Sequence, residues 1–132
     1  MPPLKLLIVD DAEDILFLIK RELRDAPYEV FTATNGQEAI DKAGRVMPDL
    51  MLLDIMMPDM DGGEVVRVLK GEDRTRGIPI IFLTGMMAKT EDGDSEAGVK
   101  INDTYYPAIA KPFERFEILN TLNKYFEHQI QN

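Results

Sequence analysis

The length, composition and charge of this chain restrict the classes of protein to which it can belong. With 132 residues, 45% of them hydrophobic and 30% charged, it is long enough for one domain with a single core. It contains no cysteine, which excludes disulfides and thiolate metal sites, and its formal net charge of −9 disfavours binding to nucleic acid. It has neither an apolar run of the roughly 20 residues that span a bilayer nor the layout of a signal peptide. We therefore expect one soluble, cytoplasmic domain over residues 1–132, without direct contact to nucleic acid or membrane.

Strand-like and helix-like segments alternate along the chain, which is the pattern of an α/β protein. Three segments are nearly continuous apolar runs, as in parallel strands that are covered on both faces: Leu4 to Val9, Leu50 to Leu53 and Ile78 to Leu83. Tyr28 to Ala33 mixes apolar and polar residues, and Tyr105 to Ala110 contains Pro107, which cannot donate to a sheet ladder. We predict both as edge strands. Edges at the second and fifth strands fit a doubly wound, five-stranded parallel sheet of order 2-1-3-4-5, the flavodoxin-like arrangement.

The helices are predicted from apolar stripes and from capping signals. The first runs from about Ala12 to Arg24, on a stripe of apolar residues at helical spacing. The second and third begin after Asn35 and Asp61, because each is followed three residues later by a glutamate, as in a capping box. The last is predicted from Pro112 or Phe113 to His128.

The segment from Gly85 to Thr104 is the atypical part of this pattern. Gly93 and Gly98 disfavour a helix, and few apolar residues between Lys89 and Asp103 could anchor one to the sheet. We therefore expect no regular fourth helix here, but a short, irregular or mobile segment.

Polar residues follow the carboxyl ends of four predicted strands. Asp10 and Asp11 end the first, Asp54 the third, Thr84 the fourth and Lys111 the fifth. Ligands of open α/β sheets bind beyond these ends, where the strand order reverses, here between the first and third strands. Crowded carboxylates either shift their pKa values or recruit a cation, and Mg²⁺ suits them because it joins carboxylates to phosphate through oxygen ligands. Taken singly, each residue also has a local interpretation, with Asp10 or Asp11 capping the first helix and Asp54 in a turn.

The order and spacing of these residues resemble the receiver domains of response regulators, the CheY-like family of two-component signalling. The resemblance spans nearly the whole chain and is carried by four motifs: Asp10-Asp11, Asp54 to Gly62, Thr84-Gly85 and Lys111-Pro112-Phe113. It implies that Asp54 is the phosphoacceptor and that Asp10, Asp11, Asp54 and the backbone carbonyl of Met56 hold Mg²⁺, with Mn²⁺ as an alternative.

The same resemblance implies a signalling role. Lys111 and Thr84 would contact the phosphoryl group, and Thr84 would act as a switch that pulls in the loop after it. The donor would be a sensor histidine kinase or a histidine phosphotransfer protein, and the output an unidentified downstream protein. Such a chain is a phosphoacceptor that catalyses only its own phosphoryl transfer and dephosphorylation.

Two features depart from the family pattern. Receivers commonly place a Tyr or Phe three residues before the lysine, and here that position is Ala108. Tyr105 and Tyr106 are not expected to take over, because a shift of one residue along a strand reverses its face. The stretch from Thr84 to Lys111 is also longer than usual.

Three other functions stay open from the sequence. One is a Mg²⁺-dependent phosphohydrolase of the haloacid dehalogenase type, although that family places a second Asp two positions after its nucleophile on the first strand, and position 12 is Ala. Another is a binding module that is never phosphorylated. The third is the receiver half of a transcription regulator.

Overall fold

The computed structural model describes residues 3–85, 98–113 and 116–130. Within these ranges the chain forms six strands and four helices. The strands are β1 (Leu4–Val9), β2 (Tyr28–Ala33), β3 (Leu50–Asp54), β4 (Ile80–Thr84), β5 (Gly98–Ile101) and β6 (Thr104–Ala110). The helices are α1 (Glu13–Glu22), α2 (Gly36–Val46), α3 (Gly62–Lys70) and α4 (Glu117–Ile130). None of the helices in this described part is long and apolar enough to cross a membrane.

The strands form one sheet of order β2-β1-β3-β4-β6-β5. The first five in this order are parallel neighbours, while β5 is antiparallel to β6. The predicted flavodoxin-like order of the parallel strands is therefore confirmed. The predicted count of five strands is wrong, because β5 adds a sixth strand at the edge.

β5 and β6 form a hairpin in the segment for which we expected no regular structure. Ile101 lies opposite Thr104, and the two loop residues, Asn102 and Asp103, have φ of 50° and 67°, as in a type I′ turn. The expectation of an irregular segment is thus wrong for residues 98–104, whereas residues 86–97, including Gly93, lie outside the described ranges. The prediction that Tyr105 to Ala110 forms an edge strand is also wrong. β6 lies between two strands, because residues 104–107 pair with β5 and residues 108–110 pair with β4.

The turn of this hairpin gives a first testable expectation. Asp103 has a positive φ that glycine adopts without steric cost, and its ion pair with Lys100, at 3.7 Å, is exposed. Asp103→Gly should therefore raise the free energy of unfolding by about 0.5 kcal/mol, while Asp103→Ala should lower it. Urea unfolding of the two variants beside the wild type measures both changes. A destabilised Asp103→Gly variant would argue against the type I′ turn.

The two faces of the sheet carry separate cores. One face packs against α2 and α3 and includes Val9, Leu53 and Phe82, and the other packs against α1 and α4 and includes Ile8 and Leu52. Side chains that alternate along a strand point to opposite faces, which explains why neighbours in β1 and β3 belong to different cores. The central strands are therefore buried on both faces, as predicted.

The starts of α2 and α3 agree with the predicted capping residues, whereas the start of α4 does not agree with its prediction. The Asn35 side chain accepts a hydrogen bond from the amide of Glu38 at 2.8 Å, and that of Asp61 from the amide of Glu64 at 2.9 Å. Both predicted caps are confirmed. The predicted start of the last helix at Pro112 or Phe113 is wrong, because Phe116 has a φ of 68°, outside the helical range, and α4 begins after it.

Candidate functional site

The strand register brings four of the predicted residues to one edge of the sheet. Val9 pairs with Leu53, so the residues that follow them, Asp10 and Asp54, lie side by side. β4 and β6 end together, and the amide of Lys111 donates to the carbonyl of Thr84 at 2.8 Å. The parallel sheet thus gathers residues that are 101 positions apart in the chain.

Three carboxylates form a cluster at this edge. Asp10, Asp11 and Asp54 each offer an oxygen that lies within 4.8 Å of the other two. Asp10 and Asp54 are buried, with 0% and 5% of their surface exposed, while Asp11 is exposed. Ala12, the residue that precedes α1, has no side-chain cap, although Asp10 accepts a hydrogen bond from its amide at 3.0 Å. Neither aspartate is therefore the N-cap residue of α1, and the three carboxylates lie together at the carboxyl ends of the strands, where ligands of open α/β sheets bind.

Lys111 is the cation of the cluster. Its Nζ donates to Oδ2 of Asp10 and lies 3.4 Å from Oδ2 of Asp54. Only 19% of its side chain is exposed, so this charge is largely withdrawn from water. The lysine therefore bridges the two buried carboxylates.

One positive charge does not balance the cluster. The pKa of Asp54 is raised from 3.8 to about 6, first because the carboxyl is buried and second because Asp10 is negative. Lys111 and the amide of Met56, which donates to Oδ1 of Asp54 at 3.3 Å, oppose this rise in pKa. Asp54 is still ionised at neutral pH, but at an energetic cost. An all-oxygen cluster with excess negative charge fits a hard divalent cation such as Mg²⁺.

The remaining predicted site residues lie beside this cluster. Thr84 is 2% exposed and ends β4, one residue beyond Leu83, which is the register partner of Asp54. Met56 follows Asp54 by two residues in the loop before α3, and its side chain is exposed. The structure thus brings all six predicted site residues to the same edge. Asp59, in the same loop, was not predicted, because its partners in α2 are distant in the sequence.

Ala108 stands at the position where the resemblance described above implies an aromatic residue, and the structure shows an aromatic side chain nearby. Tyr106 packs edge-to-face on Phe82, with ring centroids 5.6 Å apart and planes at 89°. Tyr106 and Ala108 are two residues apart, so they share a face of β6, and both pack against the core on the α3 side. The expectation that strand alternation excludes Tyr106 is therefore wrong; it applies to Tyr105, which is exposed.

Comparison with known proteins agrees with this fold and cleft. A family model described as "Response regulator receiver domain" matches residues 6–123. The chain is 39% identical to the alkaline phosphatase synthesis transcriptional regulatory protein PhoP of Bacillus subtilis, over 86% of this chain and 45% of that protein. It is 34% identical to the chemotaxis protein CheY of Listeria monocytogenes, over 92% of this chain and 97% of that protein. The chain thus spans about half the length of the first relative and nearly all of the second.

A solved structure shows a similar fold. The receiver domain of the sensor histidine kinase PA1611 from Pseudomonas aeruginosa PAO1, which has a magnesium ion coordinated in its active-site cleft, superposes with a TM-score of 0.73. The two are 28% identical, and the match covers 92% of this chain and 96% of the other. The family match over most of the chain, the parallel sheet and the acidic cleft lead to one conclusion. This chain belongs to the response regulator receiver domains, the signalling phosphoacceptors of two-component phosphorelays.

Proposed function

We propose that this chain accepts a phosphoryl group on Asp54 from a sensor histidine kinase or a histidine phosphotransfer protein. The observation that carries the proposal is the arrangement of Asp54 within 4.8 Å of two other carboxylates and 3.4 Å from Lys111. A nucleophilic carboxylate, a cation beside it and further oxygen ligands are the components that phosphoryl transfer requires. The magnesium ion in the PA1611 receiver domain supports the same assignment.

The residues have distinct tasks in this reaction. A carboxylate oxygen of Asp54 attacks phosphorus, and the bond from phosphorus to the donor nitrogen breaks, so that the histidine leaves with its electron pair and takes up a proton. A pKa of about 6 leaves Asp54 ionised, and therefore nucleophilic, at neutral pH. Lys111 places a positive charge beside the carboxylate on which the phosphoryl charge accumulates.

The cation site is proposed from the same donor set. Asp10, Asp11, Asp54 and the backbone carbonyl of Met56 would hold Mg²⁺, and Mn²⁺ would fit the same oxygen ligands. When bound, the ion would neutralise part of the charge that the transferring phosphoryl group brings to the carboxylates.

The signal to a downstream protein would start from the residues at the carboxyl ends of β4 and β6. The Thr84 hydroxyl would contact the phosphoryl group, and the reorganised chain after Thr84 would change binding to a downstream protein. In general, a phosphoryl contact of a few kcal/mol is sufficient to shift the balance of an element that has two arrangements. Hydrolysis of the aspartyl phosphate by the same cleft would reset the domain. We propose this cycle for a single receiver domain in the cytoplasm over residues 1–132.

Labelling with a small phosphodonor tests the proposal without the kinase. Acetyl phosphate and Mg²⁺ should add one phosphoryl group to the wild-type protein, as measured by intact-protein mass spectrometry. Asp54→Asn should remain unlabelled, and EDTA should prevent labelling of the wild type. Asp11→Asn should require more Mg²⁺ for the same labelling, with little change in stability, because Asp11 is exposed and caps no helix.

The site of labelling and the number of turnovers distinguish a receiver domain from a phosphohydrolase. Equal labelling of the wild type and Asp54→Asn would contradict the assignment of Asp54. Many rapid turnovers of a small phosphate ester, without accumulation of the aspartyl phosphate, would instead support a phosphohydrolase.

A further inference from the structure

The loop between β3 and α3, residues 55–61, carries Met56; its start is bonded to the sheet, and its end is bonded back to its start. At its start, the amide of Ile55 donates to the carbonyl of Leu83 at 3.2 Å. At its end, the amide of Gly62 donates to the carbonyl of Ile55 at 2.7 Å. These bonds close the base of the loop. These two bonds do not fix the middle of the loop, whose position depends on contacts with another element.

Asp59 supplies such contacts with the first turn of α2. Its Oδ1 accepts a hydrogen bond from the amide of Gly36 at 3.0 Å, and its Oδ2 from the amide of Gln37 at 3.1 Å. Asn35 accepts a hydrogen bond from the amide of Glu38, one residue further along the helix. The amides at a helix start have no partner within the helix. Asn35, directly before the helix, and Asp59, in the loop, thus together accept hydrogen bonds from three amides at the start of α2.

The neighbouring side chain brings the loop into close contact with the same turn. A Cβ atom at Gly36 would lie 2.1 Å from Cγ and 2.8 Å from Sδ of Met60. Glycine therefore permits an approach that a larger residue would prevent. The loop is held on α2 by two adjacent residues, one through hydrogen bonds and one through packing.

The charge of Asp59 strengthens its contact. The amide of Gly36, followed by those of Gln37 and Met60, lowers the pKa of this carboxyl, so the ionised form is the one that the bonds favour. A carboxylate at a helix N-terminus also interacts favourably with the helix dipole. Asparagine would keep the shape and one acceptor oxygen but lose the charge.

We propose that Asp59 is a positioning residue, which ties the middle of the 55–61 loop to α2 and so keeps Met56 in place at the cation site. This inference rests on the proposed function. The side-chain hydrogen bonds of Asp59 go to α2, whereas Lys111 is paired with Asp10 and Asp54, so Asp59 would act on the site only through the loop. Loss of such a supporting contact typically weakens metal binding by on the order of tenfold.

Calorimetric titration with Mg²⁺ tests this proposal on the whole chain. Asp59→Ala should raise the Kd for Mg²⁺ about tenfold, and Asp59→Asn should fall between it and the wild type. In acetyl phosphate labelling, the Mg²⁺ concentration at half-maximal rate should rise for Asp59→Ala, while the rate at saturating Mg²⁺ should stay close to that of the wild type.

Asn35→Ala is the matched control, because it removes a cap from the same turn of α2 and leaves the loop contacts intact. It should lower the Tm at least as much as Asp59→Ala, with a Kd for Mg²⁺ near that of the wild type. Equal Kd values for Asp59→Ala and wild type, or an equal rise for Asn35→Ala, would overturn the positioning role alone. A wild-type protein that binds no Mg²⁺ would overturn the proposed function and this inference with it.

Discussion

Asp54→Asn should stabilise the fold at pH 8 in the absence of divalent cations, although it removes the proposed phosphoacceptor. The carboxyl of Asp54 has a pKa of about 6 in place of 3.8, because it is buried and lies beside Asp10. This difference corresponds to about 3 kcal/mol between the two protonation states. Water in the cleft screens part of it, so we expect a gain of about 1 to 3 kcal/mol in the free energy of unfolding.

The pH dependence follows from the direction of the shift. The folded chain binds the Asp54 proton more tightly than the unfolded chain, so stability from this group is fully present below pH 3.8 and is lost as the pH rises through about 6. Asparagine resembles the protonated carboxyl in shape and charge. The variant should therefore match the wild type near pH 4 and exceed it at pH 8.

Urea unfolding in EDTA at several pH values measures this difference. Asp73→Asn is a suitable control, because Asp73 is exposed and its ion pair with Arg76 lies at the surface. Saturating Mg²⁺ should reduce the advantage of Asp54→Asn, since the cation relieves the same repulsion in the wild type. A variant that is no more stable than the wild type at pH 8 would show that Lys111 already balances the cluster.

Local signals in the sequence were sufficient for most of the fold. Continuous apolar runs identified the central strands, and Asn35 and Asp61 marked helix starts that the structure confirms. These signals succeed because each depends on residues within one turn of helix or one strand. The site followed from the fold, because parallel strands deliver their carboxyl ends to one edge.

The errors arose where two interpretations competed for the same residues. Gly98 indicates that a helix is disfavoured. Val99 and Ile101, however, alternate with polar residues, as in a strand, and precede a two-residue turn. Glycine does disfavour a helix at this position, but the absence of a helix does not imply the absence of a strand. Strand alternation does not exclude Tyr106, because Tyr106 is two residues from Ala108 and residues two apart share a face of the strand.

Other features had no local signal at all. The contact between Asp59 and the start of α2 joins a loop to a helix that is distant in the sequence and adjacent only in the folded chain. The start of α4 depends on the conformation of Phe116, which no residue type nearby requires. Such features are set by tertiary packing, and local patterns in the sequence do not indicate them.

Lys111→Met should destabilise the fold in EDTA by about 3 kcal/mol. Its Nζ is bonded to Asp10, which is fully buried, and lies 3.4 Å from Asp54. Methionine has a similar length and would fill the same space without the charge. Two buried carboxylates would then face each other without a cation, and removal of one partner from a buried ion pair typically costs 3 to 5 kcal/mol. We take the lower end because Asp11, the third carboxylate of the cluster, is exposed to water.

Mg²⁺ should recover a large part of this loss, because the cation would replace the missing positive charge among the same oxygens. Urea unfolding in EDTA and in saturating Mg²⁺ gives both values. Lys70→Met is the matched control: Lys70 is also partly buried, but its Nζ donates to the backbone carbonyls of Arg76 and Ile78 and not to carboxylates. Its loss of stability should be the same with and without Mg²⁺. If saturating Mg²⁺ raises the free energy of unfolding of neither Lys111→Met nor the wild type, the acidic cluster does not bind the ion.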